Sequence, residues 1–470
     1  MNWRNIFRSV KNSDMRNRVL AVLGIIIIYR FLAHIPVPLA GPTELKTIMN
    51  QTLSSGSFGG FLNLLSGGAL ASFSIMLVGL SPYITASVIT QLLTKAVPRL
   101  EEMHNDGESG RRRINQWTRI ITLPLAILQS IAFIFILRQS VLSGATTTLD
   151  MNMNQWIVAV SAMTAGAMML MWLGEIITEK GIGNGISLLI FAGIISQLPQ
   201  TLGSLAQAVF TPSGDPFHMF NWFSIPFLNN TAVWLTFAIS IIGLIVLYLL
   251  VKINEGQRII TINYAKRVHG NSQYGGVKSI LPIKLITAGV IPVIFAVAFL
   301  ALPAFLGQLM VATHWNVALG QDLIVWFQRS GNNTFTATGD WHQLIYPIMY
   351  FILVVAFTYF YTSIVFNANE IAENLQKQGG FISGVRPGKQ TEKYLTKVVN
   401  RLTLFGSLAL GLIAVLPFVF EYAFVVLGLG GAAQNLAIGG TGLLIVVSVA
   451  LESLRQVNSR ALMVTYDEYK

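Results

Sequence analysis

Ten runs of about twenty apolar residues recur along this 470-residue chain, and no other feature limits its possible folds so strongly. At 1.5 Å per residue, a helix of that length crosses a hydrocarbon layer about 30 Å thick. The runs lie near 19–39, 74–94, 117–138, 154–176, 185–206, 231–252, 283–307, 342–365, 398–418 and 430–453. Only 11% of the residues are charged and 53% are hydrophobic, whereas about a quarter of a soluble domain is charged. The expected fold class is an all-α membrane protein with ten transmembrane helices. The opening "MNWRNIFRSVKNSDMRNRVL" is basic and amphipathic, and it runs into a full-length span without a small-residue cleavage site, so no cleavable signal peptide is expected. The absence of cysteine excludes disulfides, thiolate catalysis and Cys-ligated metals.

The net charge of +11 is sorted by side of the membrane. Basic residues crowd the N-terminus (Arg4, Arg8, Lys11, Arg16, Arg18) and the second–third connection (Lys95, Arg99, Arg111, Arg112, Arg113). They crowd the sixth–seventh connection (Lys252, Arg258, Lys266, Arg267, Lys278, Lys284) and the eighth–ninth (Lys377, Arg386, Lys389, Lys393, Lys397). The opposite side offers only Lys46, Arg138 and Arg329. The positive-inside rule therefore places both termini and the basic loops in the cytoplasm. The loops 253–282 and 366–397 carry more charge than orientation needs, either as ordinary solvated connections or as docking sites. Ten spans divide into two fives, and an odd number per half forces the second half to enter the membrane upside down. This arithmetic predicts an N-terminal half, 1–210, and an inverted C-terminal half, 211–470, with no convincing internal sequence match to mark them.

One apolar piece breaks the pattern. "GGFLNLLSGGALASF" (59–73) is about half the length needed to span, and it is loosened by glycines. Irregular backbone at membrane depth is tolerated only where protein surrounds it or where it lines a cavity.

Groups that could do chemistry are scarce. The six histidines are scattered and no H-E-x-x-H occurs, so neither a zinc site nor any other metal or cofactor is expected. "GVRPGKQT" (384–391) is one residue short of a phosphate loop, and Gln390 stands where Ser or Thr is required, which makes it a basic turn. "GIGNG" (181–185) suits a tight turn between the fourth and fifth helices. An ion-coupled transporter places acids or bases at mid-membrane, yet Glu175, Glu179 and Glu452 lie at span ends and Arg30 near the outer end of the first. Gln91 and Gln129 are the main long polar side chains within spans, and each either bonds a neighbouring helix or marks a seam that can part.

Several longer words are shared with a known family. They include "GGFLNLLSGGALASFSIMLVGLSPYITASVITQLL", "GESGRRRINQWTR", "MWLGEIITEKGIGNGISLLIFAGI", "INEGQRIITINYAKR", "AGVIPVIFA" and "GVRPGKQTEKYLTKVVNRLTLFG". Together they resemble the SecY family, the channel subunits of the bacterial Sec preprotein translocase, across all ten spans. The resemblance implies two inverted five-helix halves around a central hourglass pore, and it identifies the short segment with the plug, about 61–72, which carries Phe61, Leu64 and Leu65. A structural filler is the other reading of that segment. The pore ring implied by the family falls on Leu80, Ile84, Ile186, Ile190, Ile294 and Ile445. Two i, i+4 pairs within that set point along single helix faces. A narrow aliphatic collar offers ions no substitute for hydration and tends to dewet.

The same resemblance implies a lateral gate between the second–third and seventh–eighth helices, with Thr85, Gln91, Gln129 and Thr287 on it. It implies docking of the SecA motor ATPase and the ribosome on the two long loops, through Arg258 and Arg386. The implied partners also include SecE and SecG subunits, signal peptides, unfolded preproteins and membrane lipid. The implied location is the bacterial plasma (inner) membrane. No catalysis and no cofactor are expected. The chain departs from the family pattern at Ile286, where the gate usually carries asparagine, at Asn271 and Ser272 in place of a basic pair, and at Asn369. A secondary transporter with a broken second helix is the alternative from another class, and it lacks a midplane site; a membrane enzyme, the third reading, lacks a catalytic constellation.

Overall fold

The computed structural model describes residues 13–37, 74–144, 153–181, 183–210, 217–219, 223–225, 231–264, 266–269, 272–275, 278–327, 344–426 and 439–467. Helices dominate. In chain order the first six are α1 (Ser13–Leu32), α2 (Ser81–Ala96), α3 (Pro98–Asn105), α4 (Gly107–Gly144), α5 (Met153–Lys180) and α6 (Gly185–Phe210). The short strands β1 (Phe217–Met219) and β2 (Phe223–Ile225) precede α7 (Thr231–Glu255). After α7 come β3 (Gln257–Tyr264), β4 (Lys266–His269), β5 (Ser272–Gly275) and β6 (Lys278–Lys284). The chain continues through α8 (Ile291–Ala312), α9 (Val317–Phe327), α10 (Ile345–Val365) and α11 (Ala368–Lys377). Strand β7 (Gly380–Ile382), α12 (Lys389–Val426) and α13 (Gly439–Asp467) complete it.

Each of the ten expected spans overlaps one of these helices. Five helices are long and apolar enough to cross a membrane, counted among the described residues. Helices α4 and α12 each run for 38 residues, roughly 57 Å, and so project well beyond a 30 Å hydrocarbon layer.

Two spans begin later than their apolar runs suggest. The seventh run starts at 283, but the helix starts at Ile291, because residues 278–284 are a strand paired antiparallel with β3. The second run starts at 74, but residues 75–80 form turns and the helix begins at Ser81. Proline explains both starts. Pro82 and Pro292 each occupy the second helical position, where the missing N–H costs no intrahelical bond. The end of α2 is equally local. Val97 precedes Pro98 and is extended, with φ −109° and ψ 113°, the region that a following proline enforces.

Helix packing follows α2 on α4, α4 on α5, α5 on α6, α8 on α10, α10 on α12 and α13 on both α6 and α7. Helix α8 also packs across onto α2 and α4. One buried aliphatic and aromatic cluster joins all of these except α4, from Val22 and Tyr29 of α1 to Phe418 of α12 and Val449 of α13. The outward faces are apolar as well, including Ile27 and Phe31 of α1, Ile120 of α4 and Leu244 of α7. A helix apolar on every side belongs in lipid.

The long connections are not plain loops. Strands β6, β3 and β7 form a three-stranded antiparallel sheet, so the sixth–seventh connection is hydrogen-bonded to the eighth–ninth. Ile260, Ile283 and Ile382 from its three strands bury against Leu395, Val398 and Val399 of α12.

Candidate functional site

The turn that opens α2 reads Gly79-Leu80-Ser81-Pro82-Tyr83-Ile84, and the turn that opens α8 reads Gly289-Val290-Ile291-Pro292-Val293-Ile294. Both glycines are left-handed, at φ 62° and 64°, a region that residues with a Cβ enter at a cost. Both following residues are helix caps near φ −90°. The prolines and isoleucines then fall in the same places. A second echo lies in Leu188-Leu189-Ile190 of α6 and Leu443-Leu444-Ile445 of α13. The second and seventh, and the fifth and tenth, elements therefore share local words five elements apart. Each word is only a few residues long, too short to stand out as an internal match, and the Gly-x-x-Pro spacing is the signal of the repeat in the sequence.

All six residues expected in the pore ring enter the one buried cluster. Leu80, Ile84, Ile190, Ile294 and Ile445 are buried within it, and Ile186 packs against it half-buried. Leu80 is the cap of α2 rather than a residue within the helix, and its carbonyl accepts the first helical bond from the Ile84 N–H at 3.0 Å. The turn before α2 is held from two sides. Ile75 N–H donates to Ile35 O at 3.0 Å, and the buried Ser74 hydroxyl donates to Leu32 O at 3.2 Å while accepting from Met76 N–H at 2.9 Å. On the other side α5 approaches so closely that a Cβ on Gly166 would lie 2.1 Å from the Ile75 carbonyl oxygen.

The polar residues expected at the gate do not form one cluster. Thr85 of α2 and Gln129 of α4 line, with Ala298 and Phe305 of α8, a cavity of about 30 Å³, room enough for a water molecule. Gln91 lies well over one turn farther along α2, where its Nε2 donates to Ser87 Oγ at 3.1 Å and its Oε1 is buried with no partner among the described residues. Thr287 precedes α8 instead of opening it, and donates to Thr362 Oγ1 of α10 at 3.3 Å. Thr362 passes the bond to Thr358 O at 2.7 Å. The cause is the late start of α8, which moves Thr287 onto the turn facing α10. Ile286, which stands in place of the expected asparagine, is buried. A further polar contact absent from the sequence reasoning joins α4 to α5, with Ser130 Oγ 3.5 Å from Thr164 Oγ1.

At the sheet end of α8 a polar cavity of about 170 Å³ is lined by Asn254, Lys284, Thr287, Tyr361, Glu452 and Arg455, among others. Desolvation lowers the ammonium pKa of Lys284, with Arg455 adding to the effect and Glu452 opposing it. Arg455 donates to Asn254 O at 2.9 Å, tying α13 to α7. Glu175 of α5 pairs with Arg119 of α4 at 2.7 Å.

Arg258 lies exposed on β3, and Arg386 lies exposed on the turn between β7 and α12. The β3–β7 pairing places both on one body. Asn263 Nδ2 donates to Ser383 Oγ at 2.8 Å across the join, and Thr391 Oγ1 donates to Arg386 O at 2.9 Å. Phe61, Leu64 and Leu65 lie outside the described residues.

A bundle of membrane-length apolar helices closing on a buried aliphatic centre, with a basic sheet at one end, defines a polytopic membrane protein. The comparisons identify which one. The SecY family model matches residues 74–454. Protein translocase subunit SecY of Streptomyces scabiei is 37% identical over 468 residues, covering 98% of each chain. That of Corynebacterium glutamicum is 38% identical over 467 residues, with the same coverage. The chain belongs to the SecY family of protein translocase subunits. Its fold is that of a protein-conducting channel, matching the solved structure of such a channel with a TM-score of 0.58, at 19% identity, over 93% of this chain and 90% of that one. Sec61 in the canine ribosome–channel complex matches with a TM-score of 0.55, at 18% identity, over 93% and 90%.

Proposed function

We propose that the chain is the central channel subunit of a Sec translocon, moving unfolded preproteins across the plasma membrane and releasing membrane segments sideways into lipid. The observation that carries this reading is the shared buried cluster, to which α2 and α6 of the first half and α8 and α13 of the second each contribute ring residues. Leu80, Ile84, Ile186, Ile190, Ile294 and Ile445 form the collar. A collar of branched aliphatics seals against hydrated ions yet yields around a chain in transit. Residues 61–72 act as the plug above it. The halves are 1–210 and 211–470, and the repeated Gly-x-x-Pro turns at the starts of α2 and α8 support that division.

The lateral gate opens where α2 and α4 meet α8. Thr85 and Gln129 line its polar cavity, while Thr287, bonded to Thr362, braces the neighbouring α10. An interhelical hydrogen bond across that seam would be worth about 0.6 kcal/mol on average, enough to hold a gate without locking it. The sheet carrying Arg258, with the adjoining turn that carries Arg386, faces the cytoplasm with both termini, as the distribution of arginine and lysine requires. It receives the SecA motor or the ribosome, and guanidinium groups suit both the carboxylates of one and the phosphates of the other. SecE and SecG complete the complex. The chain catalyses nothing itself, and transport is driven by SecA, by translation or by the proton-motive force.

Ion conductance in planar bilayers tests this. The protein reconstituted with SecE should be silent, whereas I84N combined with I294N should leak, and removal of 61–72 should leak as well. A silent double variant that remains folded would refute the collar. Current carried by one small solute through the intact protein would favour a transporter instead.

A further inference from the structure

The face of α12 that points away from the bundle changes chemistry abruptly. Leu404, Phe405, Leu408 and Leu412 are exposed on it, Leu412 by 64%. One turn before Leu404 stands Arg401, preceded at four-residue steps by Lys397 and Lys393, all exposed. Residues four apart lie on one side of a helix, so the apolar stripe runs directly into a cationic one. Tyr359 of α10, half-buried, stands beside them, and together they line an open groove of about 790 Å³. None of the three cations forms an ion pair among the described residues. Glu392 also borders the groove, which leaves two net positive charges there.

Dimensions place this change at a membrane boundary. Four residues of helix rise about 6 Å, which is about the thickness of one polar headgroup layer. With Leu404 in hydrocarbon, Arg401 and Lys397 fall within that layer, and Lys393 reaches it by bending its long side chain back. Tyrosine at such a level is the usual interfacial anchor. Basic pockets between transmembrane helices on the cytoplasmic side suit anionic headgroups. We propose that the groove between α10 and α12 seats the phosphate of an anionic phospholipid, with Arg401 and Lys397 as its direct partners and Lys393 as an outer one. The occupant is a lipid rather than a soluble anion because the cations run directly into the exposed apolar stripe of Leu404, Leu408 and Leu412, which acyl chains would cover.

The test uses the full chain with SecE in nanodiscs holding phosphatidylcholine and phosphatidylglycerol, each supplied in turn with a photoactivatable headgroup. The reading is the ratio of phosphatidylglycerol to phosphatidylcholine cross-linked to peptides covering 355–365 and 389–404. Wild type should favour phosphatidylglycerol. Each cation near a membrane surface is worth about fivefold, so R401Q should lower the ratio about fivefold and K393Q/K397Q/R401Q at least tenfold. The control R99Q/R113Q/K278Q removes the same charge elsewhere and should leave the ratio intact. R401K/K397R, which keeps the charges, serves if the triple variant does not fold, and should retain the preference. A wild-type ratio in R401Q would overturn the proposal, as would an equal loss in the control. Suppression of cross-linking by millimolar inorganic phosphate would assign the groove to a free anion. An unchanged lipid ratio with lost binding of purified SecA or ribosomes would assign it to protein docking.

Discussion

Substituting Gly166 by alanine tests whether the turn before α2 is set by backbone packing against α5. An added Cβ would sit 2.1 Å from the Ile75 carbonyl oxygen and 2.8 Å from its carbon. A carbon rarely approaches a carbonyl oxygen closer than about 3.3 Å, so helix and turn must part by roughly 1 Å. The obstructing atoms are backbone, and no rotamer change relieves them. Overpacking of this kind costs about 1–3 kcal/mol, and G166A should fall in the upper part of that range. The displaced turn carries Leu80 and leads to Ile84, so the collar should loosen and pass ions. Gly243 supplies the control, since a Cβ there meets nothing within 4 Å. Relieving a helix of glycine is worth about 0.5–1 kcal/mol, so G243A should be at least as stable as wild type. Thermal unfolding in detergent, followed by tryptophan fluorescence, gives the order of stability, and bilayer conductance gives the leak. A G166A protein that melts with G243A and stays silent would refute the reasoning.

Three other outcomes follow from particular contacts. S74A should destabilise by about 1–3 kcal/mol in the same melts, because the buried Met76 N–H loses its acceptor; valine, which supplies no acceptor either, should not rescue it, whereas threonine should. A double-mutant cycle of R119Q and E175Q should give a coupling of about 1 kcal/mol that shrinks with added salt, since the Arg119 side chain is 47% exposed. The Lys95 ammonium donates to Glu101 and holds its carboxyl below the ordinary carboxylate value. A lowered folded pKa stabilises above the unfolded value and is lost as pH falls through the folded one, so the tie between α2 and α3 should weaken below about pH 4. Exchange protection of the α3 amides should fall over that window in wild type and fall less in E101Q.

The helices were legible in the sequence because membrane spanning demands a continuous apolar run, which composition shows directly. Their starts were less so. A window of apolar residues cannot distinguish Ile283 in a strand from the first turn of α8, so the seventh run began within β6, while Ile280 and Leu281 fell in the basic connection. The signal for β3 was present in "QRIITINY", whose β-branched residues suit a pleated strand, but charge drew the reading towards docking. Its partner β7 is three residues long and more than a hundred positions away, so no local pattern could join the two loops. Gln91 and Thr287 failed to join Thr85 and Gln129 for a related reason. Family position places a residue on a helix, but the axial level and the facing neighbour depend on where that helix begins.

That same detail connects the two ends of the molecule. Strand β6 ends at Lys284, and Thr287, Gly289 and the cap Val290 follow before Ile294 reaches the buried centre. The sheet is fixed to α12 by Ile260, Ile283 and Ile382, and Arg258 lies directly across from Ile283 on its paired strand. On the proposed reading a partner pulling on the Arg258 strand would act on a ladder that ends ten residues before Ile294, whereas a partner held by Arg386 would act through β7 and α12. Arg258, on the sheet, and Arg386, on the turn that follows it, would thus reach the buried centre by different routes. R258A should consequently weaken both docking and partner-dependent opening, while R386A should weaken docking alone, and motor affinity measured beside partner-induced conductance separates them. Equal effects of both variants on opening at saturating partner would show that the sheet moves as one body and that the short path through β6 has no special role.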